Sequence, residues 1–298
     1  MKTRSERRFQ ILGNIVMVIL SACALLPMIL LFMSSITDND TLIQNGYNFI
    51  PEKFSIQAYT YIFSTGNSVI NAYGISIILT VVGTACSLVL TTLLAYAMSK
   101  KGLPGRGVLT FYVVFTMLFN GGLVPTYINY TSTFGLKNTF LGLLIPNLLM
   151  NAFNVLLMKS YFVSAIPDEI VEAAYIDGAT ELQTFLRVAL PLAKPIVATI
   201  GLFAGIAYWN DWNNGYIYLT TRTDLFSIQN LLNRMMQNIQ FLTQSSSNIS
   251  NAQVGLAAIP SVSVRMAMAV VGVLPVIIVY PFIQSNFVKG ITLGGVKG

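Results

Sequence analysis

Histidine is absent from this sequence, and only 11 of its 298 residues are acidic. Without imidazole there is no His-based acid/base catalyst and no zinc site with His ligands, so no metal site is predicted and an intramembrane enzyme is a poor fit. Cysteine is almost as scarce, because Cys23 and Cys86 are the whole set and both lie inside apolar runs, where no disulfide framework is implied. The phosphate-binding pattern Gly-x-x-x-x-Gly-Lys-Ser/Thr does not occur either, so any nucleotide hydrolysis would take place on another chain.

Hydrophobic residues make up 54% of the chain and charged residues 9%, which predicts an all-α integral membrane protein. A helix satisfies its own backbone hydrogen bonds in lipid, and about 20 apolar residues cross a bilayer. Six apolar runs of suitable length predict six transmembrane helices: residues 12–33, 69–98, 108–128, 140–158, 195–219 and 264–287.

The first run has an alternative interpretation as a cleaved signal. Leu20-Ser21-Ala22-Cys23 looks like a lipoprotein cleavage box that follows a basic start. The apolar run continues for ten residues beyond Cys23, however, to Met33. We therefore interpret residues 12–33 as a retained first span.

The net charge of +6 is compatible with nucleic-acid binding, but the basic residues follow the loops. If the N-terminus is inside, twelve of the 17 basic residues are cytoplasmic. Cytoplasmic loops of membrane proteins carry such an excess. We predict both termini inside, no nucleic-acid partner, and four cytoplasmic segments: residues 1–11, the short inner loop 99–107, the long loop 161–194 and the tail 288–298.

The long loop 161–194 has a clear local pattern. Pro167 suits the first turn of a helix, and Asp168 and Glu169 favour its positive N-terminal end. Asp177-Gly178 predicts a helix stop, since glycine accepts the left-handed conformation. A capping box of Thr180 and Gln183 then predicts a second short helix that Pro191 limits and Pro195 follows with the fifth span.

The spacing within this loop is more specific than its helices. Its pattern matches the loop of bacterial ABC importer permeases, with Val for the usual Ile. The pattern consists of Glu172-Ala173-Ala174, a gap of three residues, Gly178, a gap of nine residues, Val188, a gap of one residue, and Leu190-Pro191. The chain resembles the carbohydrate group of type I ABC importer permeases over nearly its whole length. The Asp177-Gly178-Ala179 turn and the glycine-rich ending, residues 288–298, also recur in that group.

The resemblance implies a multi-pass permease of the bacterial cell membrane that moves a carbohydrate, expected to be an oligosaccharide, by alternating access. It implies four kinds of partner: a second homologous permease, two ATPase subunits that hold ATP and Mg, an extracellular solute-binding protein and the lipid bilayer. The first loop helix is expected to act as a coupling helix in a cleft of the ATPase. The expected docking residues are Glu172, Ala173, Ala174, Asp177, Gly178, Gly295, Val296 and Lys297. Two alternatives to ATPase contact stay open: Gly178 is only a helix stop, or the tail is only a disordered end.

Polar residues inside the apolar runs are candidates for a substrate path. Asn147, Asn151 and Asn154 have the spacing of one helical face, which must meet a partner helix or a wet cavity. The fifth run carries a polar and aromatic cluster whose candidate members are Tyr208, Trp209, Asn210 and Asp211. Interhelical hydrogen bonds explain the amides equally well, and an aromatic belt at the interface explains Trp209 and Trp212.

Small residues on other faces favour helix packing. Ser76, Thr80, Thr84, Ser87 and Thr91 share one face of the second run, and Gly201-x-x-x-Gly205 lies in the fifth. We assign both to helix or subunit contact.

Two other classes of function fit the sequence less well. A secondary transporter would need repeated halves and ionisable residues at mid-membrane, where Asp211 is the one plausible example. A structural membrane subunit would leave the patterned loop 161–194 unexplained.

Overall fold

The computed structural model describes residues 4–64, 67–246 and 261–295, and every regular element in those ranges is helical. The chain divides into two compact units. One combines residues 1–69 with 232–275, and the other combines residues 70–231 with 276–298.

The first unit begins with three helices: α1 (Arg4–Ser35), α2 (Asn39–Asn45) and α3 (Gln57–Ser64). Ser35 and Tyr59 share a hydrogen bond of 2.7 Å between their hydroxyls, and Thr37 forms an isolated antiparallel bridge with Phe54. The Asn39 side chain accepts hydrogen bonds from the backbone N–H groups of Val262 and Ser263. Val262 and Ser263 lie in the first turn of the helix that begins at Ser261, where the backbone N–H groups have no partner within the helix. The two bonds to Asn39 satisfy these N–H groups.

Of the remaining helices, the one that begins at Asn67 and the one that begins at Ser261 are divided between the two units, the one that begins at Ile228 lies mostly in the first, and the others belong to the second. In chain order the remaining helices are α4 (Asn67–Ser99), α5 (Arg106–Leu118), α6 (Leu123–Ile128), α7 (Leu141–Leu144), α8 (Ala152–Ala165), α9 (Asp168–Ile176), α10 (Glu181–Thr184), α11 (Leu190–Leu192), α12 (Lys194–Asn210), α13 (Asn213–Tyr218), α14 (Ile228–Ser246) and α15 (Ser261–Gly295). Wide π-type turns extend α6 over Asn129–Thr133 and join α10 to α11 over Phe185–Ala189.

Three described helices are long and apolar enough to cross a membrane: Arg8–Ser35, Ser68–Ser99 and Val262–Pro281. They fall on the first, second and sixth predicted spans. Two further stretches qualify only as bent pairs, Arg106–Leu118 with Leu123–Thr133 at 118° and Glu181–Leu192 with Lys194–Asn210 at 80°. The remaining apolar helix, Ala152–Ala165, is shorter. By length and composition the described residues thus provide between three and five spans, and the count of six stays a prediction.

The predicted third, fourth and fifth spans are each interrupted. Residues 119–122 separate α5 from α6 within the run 108–128. Residues 145–151 separate α7 from α8, so the run 140–158 is not one helix. Asp211 and Trp212 separate α12 from α13, so the run 195–219 is also divided. Pro146 precedes Asn147, whose positive φ of 61° ends helical geometry there.

Helix α4 packs closely on α12 through its small residues. A Cβ at Gly83 would lie 2.5 Å from the Tyr208 ring, and one at Gly205 would lie 3.5 Å from the Thr84 hydroxyl. Thr91 and Ser87 are also buried on α4. The predicted role of the small face in helix packing is therefore seen within the chain itself.

Candidate functional site

In the loop between α8 and α12, the first helix begins and ends where its local sequence predicts. Pro167 sits at the N-cap of α9, and Asp168 and Glu169 occupy the first turn. Gly178 has a φ of 82°, and its N–H donates to the Tyr175 carbonyl at 3.0 Å. The Ala179 N–H donates to the Ala174 carbonyl at 2.9 Å. These bonds satisfy carbonyls at the end of α9, which is the role of a left-handed glycine cap.

The second helix of the loop starts with the predicted capping box. The Gln183 N–H donates to the Thr180 hydroxyl, and the Thr180 N–H donates to the Gln183 side chain at 2.9 Å. The helical turns continue through the wide turn into α11, so Pro191 lies inside the last turn and does not end it. Proline lacks an N–H and its ring crowds the preceding turn, which favours the widened geometry before it. Lys194 then begins α12, with Pro195 in its first turn.

The predicted docking residues lie on the surface of the chain. Glu172, Ala173, Asp177 and Gly178 are exposed, and Ala174 is half-buried. None of the nine residues of α9 is fully buried. This helix therefore presents a face whose small side chains permit a close approach by another surface.

Lys100, the residue after α4, contacts both helices of the loop, α9 and α10. Its ammonium lies 3.0 Å from the Tyr175 hydroxyl, to which it donates, and 3.2 Å from a Glu181 carboxylate oxygen. The Tyr175 hydroxyl donates to the other Glu181 oxygen. The same ammonium lies 4.6 Å from the centre of the Tyr96 ring. We call Lys100, Tyr175, Glu181 and Tyr96 the Lys100 cluster.

The charges of the Lys100 cluster stabilise each other. Burial tends to lower the pKa of Lys100, but its hydrogen bonds to Tyr175 and its neighbours raise that pKa overall. Burial likewise tends to raise the pKa of Glu181, whereas the hydrogen bond from Tyr175 and the Lys100 charge lower it overall. Both shifts favour the charged forms, so the pair is ionised at neutral pH.

An apolar core lies beneath the Lys100 cluster. The Tyr96 ring packs against Phe162 of α8 at 5.6 Å and against Phe185 at 4.8 Å between ring centres. Further buried members of this core come from α4, α8, the wide turn and α12, and include Met98, Met158, Ala189 and Ile200. The cluster thus rests on a platform to which four parts of the second unit contribute.

The prediction that three amides share one helical face is wrong. Helix α8 begins at Ala152, so Asn147 and Asn151 precede it. Asn151 is the N-cap, and its side chain accepts from the Asn154 N–H at 3.2 Å. Asn147 and Asn151 are exposed, whereas Asn154 is buried. The sequence carried a signal for this start, because Asn is a favoured N-cap residue.

Tyr208 and Asn214, both in the fifth predicted span, form hydrogen bonds with the backbone at the break in the fourth predicted span. Tyr208 is fully buried, and its hydroxyl donates to the Leu144 carbonyl at 2.8 Å. The Asn214 amide donates to the carbonyls of Leu143 and Pro146. These carbonyls lie where α7 ends, and a carbonyl left without a donor in an apolar environment is costly.

The other path candidates differ in exposure. Trp209 is buried and lies 6.3 Å from the Tyr73 ring, whereas Asn210 is exposed. Asp211 is half-buried, and its carboxylate accepts from the Asn214 N–H in the break between α12 and α13. Ser227 donates to the Asp211 carbonyl at 3.2 Å.

Of the three predicted tail contacts, only Gly295 lies within the described residues. Gly295 is the last residue of α15. Val296 and Lys297 lie outside the described residues.

Sequence reasoning missed the Lys100 cluster. Lys100 entered that reasoning only as a basic residue of an inner loop, and Tyr175 and Glu181 received no role. Lys100 and Tyr175 are 75 positions apart, and no local pattern connects them. Arg265 is the one charged residue of the candidate span Val262–Pro281, and its buried Nε has no hydrogen-bond partner among the described residues.

Three apolar helices of spanning length, together with an exposed helix-turn-helix that contacts the end of one of them, define a multi-pass membrane protein. The chain belongs to the family of binding-protein-dependent transport system inner membrane components, whose family model matches residues 5–293. The resemblance drawn from the loop residues is thereby confirmed.

Individual relatives cover almost the whole chain. Protein LplC of Bacillus subtilis is 33% identical over 296 residues, which is 99% of this chain and 97% of the relative. The polygalacturonan/rhamnogalacturonan transport system permease protein YtcP of the same organism is 36% identical over 294 residues, covering 98% and 99%. The crystal structure of a bacterial ABC transporter involved in the import of the acidic polysaccharide alginate contains a chain that matches with a TM-score of 0.77 and 33% identity. That match covers 96% of this chain and 99% of the other.

Proposed function

We propose that this chain is a transmembrane permease subunit of an ATP-driven importer for an oligosaccharide. Family membership over residues 5–293 is the observation that carries the proposal. Relatives named for polygalacturonan/rhamnogalacturonan and for alginate support a saccharide derived from a polysaccharide. Relatives named for arabinooligosaccharides and for trehalose widen the range of sugars in the group.

In this proposal the chain lies in a bacterial cell membrane with six spans and both termini in the cytoplasm. A second permease completes the pathway, two ATPase subunits hold ATP and Mg, and an extracellular binding protein delivers the sugar. The distribution of basic residues supports this orientation, because it places the loop 161–194 on the side where ATP is available.

The ATPase would dock on α9. Glu172 is exposed on this helix and supplies a carboxylate for a charge-assisted contact. Ala173 and Ala174 allow the two backbones to approach, and Asp177 and Gly178 set the turn. Gly295, Val296 and Lys297 are proposed as additional contacts from the tail.

The substrate path is proposed near the break between α12 and α13. Asn210 and Asp211 are the candidates best placed to meet a sugar, because Asn210 is exposed and Asp211 is half-buried. Trp209 contributes an aromatic surface beside them. The hydrogen bond of Tyr208 to a carbonyl makes a supporting role the better proposal for that residue. Asn147 and Asn151 stay candidates through their exposure, and Asn154 is the least accessible of the three amides.

The test is reconstitution of the full complex with its ATPase and binding protein in proteoliposomes. ATP hydrolysis is measured with a panel of neutral and uronic-acid oligosaccharides. We expect stimulation by at least one oligosaccharide. Absence of an ATPase from the purified complex would contradict the proposed class, whereas stimulation by a substrate without sugar rings would contradict only the proposed substrate.

The docking role is tested with Glu172→Ala. We expect this variant to insert normally and to lose sugar-stimulated hydrolysis, because the carboxylate contact to the ATPase is gone. Glu169→Ala is the matched control, since it removes an exposed carboxylate from the first turn of the same helix. Wild-type stimulation in Glu172→Ala would refute the docking role.

A further inference from the structure

We propose that Lys100 is a positioning residue that fixes the coupling helix α9 to the end of α4, so that movement of α9 by an ATPase is transmitted to the membrane helices. The proposal rests on the proposed function, and it assigns a role to a residue outside the docking surface. Its basis is the Lys100 cluster, in which one ammonium contacts both helices of the loop.

Apart from the Lys100 cluster, α9 meets the rest of the chain through α10, the wide turn Phe185–Ala189 and an exposed ion pair of Asp168 with Lys101. None of its residues is fully buried, and the Asp177-Gly178 turn separates it from α10. Val171 packs partly against the apolar core. A helix held this lightly would tilt about its ends when pushed, and a tilting helix would not move its neighbours as a rigid body. A contact near its C-terminal end is therefore needed to transmit a displacement.

The Lys100 cluster supplies that contact. Tyr175 lies in the last turn of α9, Glu181 is the first residue of α10, and Lys100 follows the last residue of α4. From the end of α4, the ammonium therefore contacts both α9 and α10. The Tyr175 hydroxyl also donates to Glu181, so each of the three residues contacts the other two. The Tyr96 ring, 4.6 Å from the ammonium, connects the arrangement to the apolar core.

A second ion pair in the same loop provides the comparison. Lys101 lies 2.7 Å from the Asp168 carboxylate at the other end of α9. The side chains of Lys101 and Asp168 are 77% and 69% exposed, whereas those of Lys100 and Glu181 are 27% and 58% exposed. Exposed ion pairs contribute little because water screens them, while a partly buried lysine with several partners holds its geometry. We assign the positioning role to Lys100 and none to Lys101.

The experiment measures sugar transported per ATP hydrolysed in proteoliposomes that contain the complete importer. Lys100→Gln is expected to lower this ratio roughly fivefold or more, the range of a typical coupling between sites. Lys100→Arg, which keeps the charge, is expected to stay within about twofold of the wild type, and so is the matched control Lys101→Gln. A ratio within about twofold of the wild type for Lys100→Gln overturns the proposal.

A more conservative variant covers the case in which Lys100→Gln fails to assemble. Tyr175→Phe removes only the hydroxyl and keeps the ring, and it is expected to lower the ratio in the same direction. In a double variant with Glu181→Gln the two effects should be less than additive, because both residues act through one ammonium. An unchanged ratio in Tyr175→Phe, or full additivity in the double variant, overturns the proposal.

Co-purification of the ATPase separates this proposal from the docking proposal. Lys100→Gln is expected to retain the ATPase in amounts equal to the wild type while it transports less sugar per ATP. Loss of the ATPase from this variant would mean that Lys100 serves docking, which contradicts the positioning role. A normal transport ratio in Glu172→Ala would instead remove the docking role, whatever Lys100 does.

Discussion

At the scale of single residues, two polar side chains of the fifth apolar run form their hydrogen bonds with backbone groups of the same chain. Tyr208 and Asn214 donate to carbonyls of Leu143, Leu144 and Pro146, where helix α7 ends. The cost of an unsatisfied carbonyl away from water is larger than the cost of ordering these side chains. Tyrosine and asparagine suit a sugar-binding site, but they also suit hydrogen bonding to the free carbonyls at a helix end. Only their contacts in the structure distinguish these two roles.

Tyr208→Phe is expected to destabilise the purified complex by about 1 kcal/mol, because the Leu144 carbonyl loses its donor. Thermal unfolding in detergent measures the effect as a shift of a few degrees. Tyr216→Phe is the control, since Tyr216 is exposed on α13 and should leave the midpoint unchanged. A Tyr208→Phe complex as stable as the wild type would contradict the assigned hydrogen bond, and retained transport in that variant would favour the supporting role over sugar contact.

At the scale of elements, the loop between α8 and α12 is defined by its boundaries. Pro167 starts α9, Gly178 ends it and the Thr180 capping box starts α10. These signals act over three or four residues, so the sequence predicts them well. The sequence predicts that Pro191 limits the second helix, and in the structure that helix includes Pro191 and ends at Leu192. The wide turn Phe185–Ala189 before the proline makes room for its ring, which the local pattern does not predict.

Gly178 tests the turn. No atom lies within 4 Å of the Cβ that a side chain would add there, so only backbone strain opposes substitution. We expect Gly178→Asn to retain most of the sugar-stimulated ATP hydrolysis, since Asn tolerates the left-handed region. Gly178→Pro should abolish it, because proline fixes φ near −65° and removes the N–H that bonds to Tyr175. Equal activity of the two variants would show that the turn geometry is irrelevant to coupling.

At the scale of the whole molecule, the number and direction of the spans follow from apolar length and from Lys and Arg counts. Three helices, Arg8–Ser35, Ser68–Ser99 and Val262–Pro281, have the required length. The middle of the chain uses shorter and bent helices, for which length alone assigns no crossing. The direction of each crossing is therefore predicted from the Lys and Arg residues of the loops.

Single-cysteine labelling measures that orientation. In a variant with Cys23→Ser and Cys86→Ser, we expect a membrane-impermeant maleimide to label Thr221→Cys in intact cells. Gly102→Cys should react only after permeabilisation, because the inner loop 99–107 carries basic residues that favour the cytoplasm. Both positions are exposed in the structure, so the difference reports the side of the membrane. The opposite labelling pattern would invert the proposed topology.

The sequence by itself determined the membrane class, the family and the start and stop of α9, because composition and capping depend on a residue and its near neighbours. Only the tertiary structure decided where the fourth and fifth apolar runs break. A break is stable when distant donors such as Tyr208 and Asn214 reach the freed carbonyls, and those donors lie 64 to 71 positions away. The contact of Lys100 with Tyr175 is equally remote, so the joint between α4 and the coupling loop emerged only from the fold.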